Sequence, residues 1–547
     1  MRLNSITDYE TLACISTEFY KGVLFAKFWG LNSEDDNFVF RKFKVLIAEP
    51  IKDLGLSNFR SGNKKEIVSI YNTIIDYISN KLKEVIVSSD QDQLVIFLYS
   101  VASYMTKIHY YMELSINGSL LPEKILHSEF FDEDEKKILF YVIGNKDRLS
   151  HLFRSFKGFD KAIIQTLLYY YGFGRNKSIR GESLNLKSFS DLYELAASLI
   201  ILINDREFIT SGFYKNGQIH IIENEIKFIN DLNKNKIEIL MKKMSEDSIQ
   251  ENLFFDDSVI SALEPEFNKE YGFKIKTIEK IFQNKSSSEI FNRKKMQVIV
   301  IEYKKLVELL RKEGYCSKPE AENIIKYFTL QDLSIDFIYD SSEKLKSRIF
   351  EHPIVEYKDQ HYLLSYNLFR FAIDILKTKM TYDLLDGCKN KNPRKVEKKV
   401  KEHFEKMVKE KIERQMDYCT WNFQDFEIIN NGKKKRVHLN NQIDVIGVRG
   451  GKLYIFECKD IYYKFTSTGV RSDIKKTINF IKHFEGKIMQ VNLYKKELIN
   501  YLKCDFSEIV PVLVFKNYNS TQDSEVDTNG IQLVSYGQLQ DWVRNLT

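Results

Sequence analysis

Gln442-Ile443-Asp444-Val445-Ile446-Gly447-Val448-Arg449-Gly450-Gly451-Lys452-Leu453-Tyr454-Ile455-Phe456-Glu457-Cys458-Lys459 is the stretch whose reading decides the fold of the C-terminal part of the chain. Two runs of β-branched and aromatic residues flank Gly-Gly, a pair that takes positive φ at both central positions of a two-residue hairpin turn without strain. If Gly450 and Gly451 form the turn, Arg449 faces Lys452. Stepping back through the ladder then brings Asp444 opposite Glu457, with side chains roughly 4.5–5.5 Å apart at Cβ.

Alternation along a strand puts Lys459 on the same face as Glu457. The other residues of that face, Ile446, Val448, Leu453 and Ile455, are apolar, and so are Val445, Tyr454, Phe456 and Cys458 on the reverse. A hairpin apolar on both sides is covered on both sides. Two carboxylates held together at the end of a covered sheet repel each other and are poorly solvated, unless one is protonated or a cation sits between them. A hard divalent ion with oxygen ligands suits such a place. A plain hairpin end in which Lys459 merely pairs with a carboxylate is the simpler alternative.

Asp444 followed by Glu457-Cys458-Lys459 on the next strand resembles the D…(D/E)-x-K core of the PD-(D/E)XK nuclease superfamily, which has the restriction-endonuclease-like fold. The likeness spans roughly the last 150–160 residues, an ordinary domain length. Gln442-Ile443 stands where the nominal proline of the motif precedes the aspartate. The resemblance implies Mg²⁺, replaceable by Mn²⁺, held by Asp444, Glu457 and the backbone carbonyl of Cys458. In the same reading Lys459 orients the attacking water and offsets charge developing at phosphorus. Many members add a glutamate from the first helix. Val396-Glu397 and Phe404-Glu405 both fit; Glu397, nearer the helix start, is preferred over Glu405. Gln490 and Tyr494, four residues apart, resemble the Q-x-x-x-Y element of the RecB-like branch, and with Gln442 they count as accessory. Lys433, Lys434, Lys435, Arg436, Arg471, Lys475 and Lys476 are candidates to line a phosphate path, adding affinity without reading bases.

The rest of the sequence narrows the setting. At 547 residues the chain has room for about three or four domains. Its 43% hydrophobic and 13% aromatic content, with 23 Gly and 7 Pro, describes a folded and largely helical protein. A net charge of +6 permits a local basic face and does not announce one. Six cysteines without a C-x-x-C pair argue against a zinc site and a secreted disulfide framework. Asp8, Glu10 and Glu18 interrupt the first 25 residues, so no signal-peptide core is expected there. The strongest apolar run, Leu195 to Ile203, is far short of the ~20 residues a membrane helix needs. Cytoplasmic location and no membrane partner are the expectations.

From Met1 to about Leu345 the pattern is mostly helical. Ile67, Ile70, Tyr71, Ile74, Ile75 and Ile78 recur at helical spacing, as do Leu94, Phe97, Leu98, Val101, Met105 and Ile108. Tyr110, Tyr111 and Tyr169 to Tyr171 read as core rather than as a base-stacking platform. Gly172 to Ser178 lacks the spacing of a phosphate loop. The acids of Phe130 to Glu135 suit a helix start. Asn284 to Ser288 is a loop that splits this region into two lobes. Residues 346–386 read as a β-hairpin, Pro353-Tyr357 and His361-Tyr366, plus a helix, a connector to a nuclease domain over 387–547. In that domain the expected order is helix, three strands, helix, strand, strand, helix, giving a central mixed sheet flanked by helices.

The expected activity is Mg²⁺-dependent endonucleolytic cleavage of DNA in restriction or anti-phage defence. The helical N-terminal region would bind a target, a trigger, a protein partner or a second copy of the chain. Two alternatives stand beside it: a catalytically silent scaffold that binds nucleic acid or protein, and an effector that cleaves RNA.

Overall fold

The computed structural model describes residues 9–30, 38–116, 118–174, 184, 186–210, 218–223, 225–229, 257–283, 298–330, 348–358, 360–381, 385, 393–430, 433–460, 467–524 and 526–546. The chain forms two compact units. The first comprises Met1–Arg206, Gln218–Ile229 and Leu253–Lys391, and the second Glu207–Gly217, Asn230–Asn252 and Asn392–Thr547. The expected loop at Asn284 to Ser288 lies outside the described residues.

The first unit is mostly helical. Its centre is the helix Gln91–Ile116, buried around most of its circumference and packed by the helices Tyr9–Gly30, Glu133–Gly144, Lys146–Gly174 and Tyr366–Thr381. A helix that is apolar all round is one that other helices must cover. The neighbouring helix Lys64–Ser88 buries Ile67, Ile70, Tyr71, Ile74, Ile75 and Ile78, the stripe its spacing predicts. Asp132 caps the helix Glu133–Gly144 in a capping box with Glu135, which accounts for the acidic run. Tyr169, Tyr170 and Tyr171 are buried, while Tyr110 is exposed. At the heart of the unit Asp160 is fully buried. It accepts hydrogen bonds from the Tyr20 hydroxyl and, at 2.9 Å, from that of Tyr193, and it pairs with Lys27.

The described part of residues 346–386 falls within this unit. The hairpin Val355–Lys358 and His361–Leu364 gains a third strand, Ile299–Glu302. Tyr99 donates to the Pro353 carbonyl at 2.5 Å, and the Ser103 and Ser365 hydroxyls meet at 2.6 Å. Ile299–Glu302 and the three-stranded antiparallel sheet of Phe59–Ser61, Gln218–Ile222 and Glu225–Ile229 are strands within the region expected to be mostly helical.

The second unit is a five-stranded mixed sheet with helices on both faces. Across the sheet the order is Gln532–Ser535, Glu508–Phe515, Lys452–Lys459, Lys433–Arg449, Tyr418–Asn430. Glu508–Phe515 runs parallel to both of its neighbours, and the other pairings are antiparallel. The central hairpin has the expected register: Val445 pairs with Phe456, Ile446 with Ile455, Gly447 with Tyr454, Val448 with Leu453 and Arg449 with Lys452. Gly450 and Gly451 carry φ of +56° and +72°, as a primed two-residue turn requires.

One face, with Ile446, Val448, Leu453, Ile455 and Leu513, is covered by the helix Ser467–Leu493 through Ile481, Phe484 and Val491. The other, with Val445, Tyr454, Phe456, Val512 and Val514, is covered by the helix Pro393–Ile412 through Phe404, Val408 and Ile412, and by Leu539 and Val543. The expected element order is present, with one short helix, Lys495–Leu502, added after the long one. Among the described residues no helix is long and apolar enough to cross a membrane, and the described cysteines are unpaired thiols.

Candidate carboxylate and lysine site

The ladder of the central hairpin ends at Val445 and Phe456, one step before Asp444 and Glu457. Instead of a further backbone pair, the Asp444 carboxylate turns in and accepts the backbone N–H of Cys458, Oδ2 to N at 2.7 Å. Glu457 stays in the sheet through its other neighbour, pairing with Leu513. Both carboxylates therefore sit at the end of a covered sheet, Asp444 8% and Glu457 6% exposed.

Two ammonium groups meet them. Lys459 lies on the Glu457 face, its Nζ 2.7 Å from Oε1 and 5.0 Å from the centre of the Phe480 ring. Lys487, from the long helix, places its Nζ 2.5 Å from Glu457 Oε2 and 3.7 Å from Asp444 Oδ1. Sequence reasoning missed Lys487. Its signal was its phase: three residues after Phe484 and four before Val491, it falls on the buried stripe of its helix. A lysine on such a stripe needs a buried acid.

The opposite helix contributes Glu405. It is 6% exposed, flanked by buried Phe404 and Val408, and its Oε2 is buried without a hydrogen-bond partner. Burial, then the charges of Asp444, Glu402 and Glu457, push its carboxyl up to about 7 against the pull of Lys487. The same forces, burial first and Glu457 second, raise Asp444 to about 6, opposed by Lys487, the Cys458 amide and Lys459. Burial alone would lower the Lys487 ammonium, but Asp444, Glu457 and Glu405 outweigh it and hold it above the ordinary lysine value. With Glu405 protonated, two carboxylates face two ammonium groups and the cluster is neutral.

Of the two helix glutamates, the described side chain is that of Glu405. Glu405 is the glutamate that feels Asp444 and Glu457. Glu397 lies about 12 Å further back along the helix axis, and its side chain is outside the described residues. Gln490, three residues after Lys487, has a buried Oε1 without a hydrogen-bond partner. Tyr494 falls just beyond the helix, at the cap of the next one, and packs on the core with its ring 6.5 Å from that of Phe426. Gln442 is half-buried. It sits in the irregular stretch where Phe423 pairs with Ile443 but Asp425 with His438.

The basic residues do not gather at the acids. Lys433 to Arg436 form the start of a strand paired with Glu427 to Asn430. Lys434 faces Glu427 at 3.4 Å and Arg436 faces Asp425 at 2.8 Å. The side chains of Lys433 and Lys435 are outside the described residues. Counted along the strand, the run lies about 25–35 Å from Asp444. Lys475 and Lys476 are exposed on the long helix, about 16–18 Å from Lys487 along its axis; the Arg471 side chain is outside the described residues.

Among the described residues no three His, Cys, Asp or Glu side chains are grouped closely enough to hold a metal ion as they stand. The donor chemistry nonetheless fits a hard cation: Asp444, Glu457 and Glu405 offer only oxygen, and the Glu405 Oε2 is left open.

No protein-family model matches the chain, and no curated protein is similar to it. Among solved structures, the crystal structure of protein VC1899 from Vibrio cholerae aligns at 11% identity over 73% of this chain and 86% of that one. Its TM-score is 0.13, a value from which nothing about the fold follows.

Proposed function

We propose that the second unit is a metal-dependent nuclease of the PD-(D/E)XK type, with a restriction-endonuclease-like fold and DNA as its substrate. The observation that carries this reading is the convergence of Asp444, Glu457 and Lys459 at the end of a covered sheet, with the buried Glu405 of the first helix within range of the charge of both acids. The order of elements and the mixed sheet support the fold assignment.

Asp444, Glu457, Glu405 and the Cys458 carbonyl would hold Mg²⁺, or Mn²⁺ in its place. The ion would activate a water and withdraw charge from the phosphate. The chain's own contribution is positional. The Cys458 amide fixes the Asp444 carboxylate, and Lys459 places an ammonium beside Glu457, where it can orient the water and stabilise charge growing on phosphorus. Phe480 packs beside that ammonium and limits its freedom.

A second reading, a silent scaffold, is favoured by one observation: Lys487 already neutralises both acids. Incubation with plasmid, linear DNA, single-stranded DNA and RNA, in Mg²⁺ or in EDTA, separates the readings. Mg²⁺-dependent cleavage lost in Asp444→Asn supports the nuclease. Binding without cleavage in any arm supports the scaffold, and cleavage of RNA alone moves the substrate from DNA to RNA. Restriction or anti-phage defence is the setting we infer for a DNA nuclease joined to a large helical unit, with that unit sensing a trigger or partner.

A further inference from the structure

We propose that Lys487 is the resident counter-ion of the Asp444–Glu457 pair and that a divalent cation must displace it to bind. This inference rests on the metal-dependent reading above and adds a residue which that reading does not use.

All four oxygens of the two carboxylates are engaged by the chain. Asp444 Oδ2 takes the Cys458 amide and Glu457 Oε1 takes Lys459. The remaining two, Asp444 Oδ1 and Glu457 Oε2, both face the Lys487 ammonium. A cation held by Asp444 and Glu457 would therefore meet an ammonium already paired with both residues. Lys487 is 14% exposed at its side chain and stands on the buried stripe of a long helix, so packing fixes its backbone while its four-carbon arm can carry the ammonium aside. The ammonium and a metal ion thus compete for one place. Lys487 keeps the acids from repelling each other while the site is empty of metal, and by the same contacts it weakens metal binding. The apparent affinity falls by the fraction of molecules in which the lysine has swung away. Lys487 is a positioning residue in this scheme, and the substrate is left to Lys459.

The test is titration of the full-length protein with MnCl₂, following free Mn²⁺ by electron paramagnetic resonance. Wild type, Lys487→Met and Lys487→Gln are each compared with and without Asp444→Asn. The expected result is an Asp444-dependent site that binds Mn²⁺ about tenfold or more tightly once the ammonium is gone. In EDTA the Lys487 variants should also melt below wild type, with Mn²⁺ restoring more of their melting temperature than it adds to wild type. Lys487→Gln, which keeps a polar end, serves if Lys487→Met does not fold. If wild type shows Asp444-dependent binding and the Lys487 variants bind no more tightly, the displacement scheme is wrong while the metal reading stands. If no protein binds Mn²⁺ in an Asp444-dependent way, the metal reading fails and this inference falls with it.

Discussion

Lys487 Nζ lies between Glu457 Oε2, at 2.5 Å, and Asp444 Oδ1, at 3.7 Å, so one ammonium from the long helix bridges two carboxylates on neighbouring strands. The bridge explains how two buried acids coexist at the end of this sheet without an ion from solution. It also changes what removal of either acid should do. A buried lysine left without an acid is costly, but with two acids present the loss of one leaves it the other.

Asp444→Asn and Glu457→Gln should therefore fold, each keeping one carboxylate on Lys487. Both should lose Mg²⁺-dependent cleavage by ~10²-fold or more, the scale for removal of a single electrostatic stabiliser. Thermal melting in EDTA checks the first expectation, and plasmid nicking in Mg²⁺ the second. Retained cleavage in both variants would put the active site elsewhere.

Glu405→Gln should reduce cleavage more than Glu397→Gln. Glu405 is the helix glutamate that feels both acids, whereas Glu397 sits more than two turns earlier. Single-turnover rates of the two variants at saturating Mg²⁺ make the comparison, and equal or reversed losses would remove Glu405 from the site.

The hairpin was legible in the sequence because its rule is local. Gly450-Gly451 sets the turn, and once the turn is set every pair back to Val445 and Phe456 follows. The apolar faces were legible for the same reason, since alternation is a property of neighbours. Lys487 was not, because its meeting with Glu457 spans 30 residues and depends on how far the helix slides along the sheet. Periodicity gives a helix its buried face but not its axial position. This is also why preferring Glu397 over Glu405 by its nearness to the helix start rests on weak ground. Lys433 to Arg436 look like a solvated loop by composition. They pair as a strand, with Asp425 and Glu427 across the ladder as acid partners of Arg436 and Lys434.

In the first unit, His352 gives a pH-dependent prediction. Burial lowers its imidazole below the ordinary value, against the Tyr327 carbonyl and Glu351, while Lys379 acts in the same direction as burial. Its Nδ1 lies 2.6 Å from the Tyr327 carbonyl oxygen, placed to donate. A base whose folded pKa is depressed binds fewer protons folded than unfolded. Its contribution is thus present above the unfolded value near 6.5 and lost as pH falls through the folded one. Wild type should lose more melting temperature than His352→Asn between pH 7 and pH 5. Parallel curves would show that His352 does not titrate across unfolding.

Catalysis and binding should separate at Lys459 and at the distal basic strand. The Lys459 ammonium lies 2.7 Å from Glu457, so its proposed role is on the water and the transition state rather than on ground-state affinity. Lys459→Ala should cut the rate at saturating substrate by ~10²-fold or more and leave DNA binding in Ca²⁺ nearly unchanged. Neutralising Lys433 to Arg436 should do the opposite. That end of the strand lies about 25–35 Å along the chain direction from Asp444, too far to touch the reacting phosphate but near enough to contact a neighbouring stretch of duplex. Its loss should weaken binding and flatten the dependence of affinity on salt, with turnover at saturation almost constant. Lys434 and Arg436 already face Glu427 and Asp425, so the change in salt slope should be smaller than four full phosphate contacts would give. Fluorescence anisotropy across a salt series, paired with single-turnover cleavage, reads both quantities. Wild-type turnover in Lys459→Ala would remove that lysine from the chemistry even if the protein cleaves DNA.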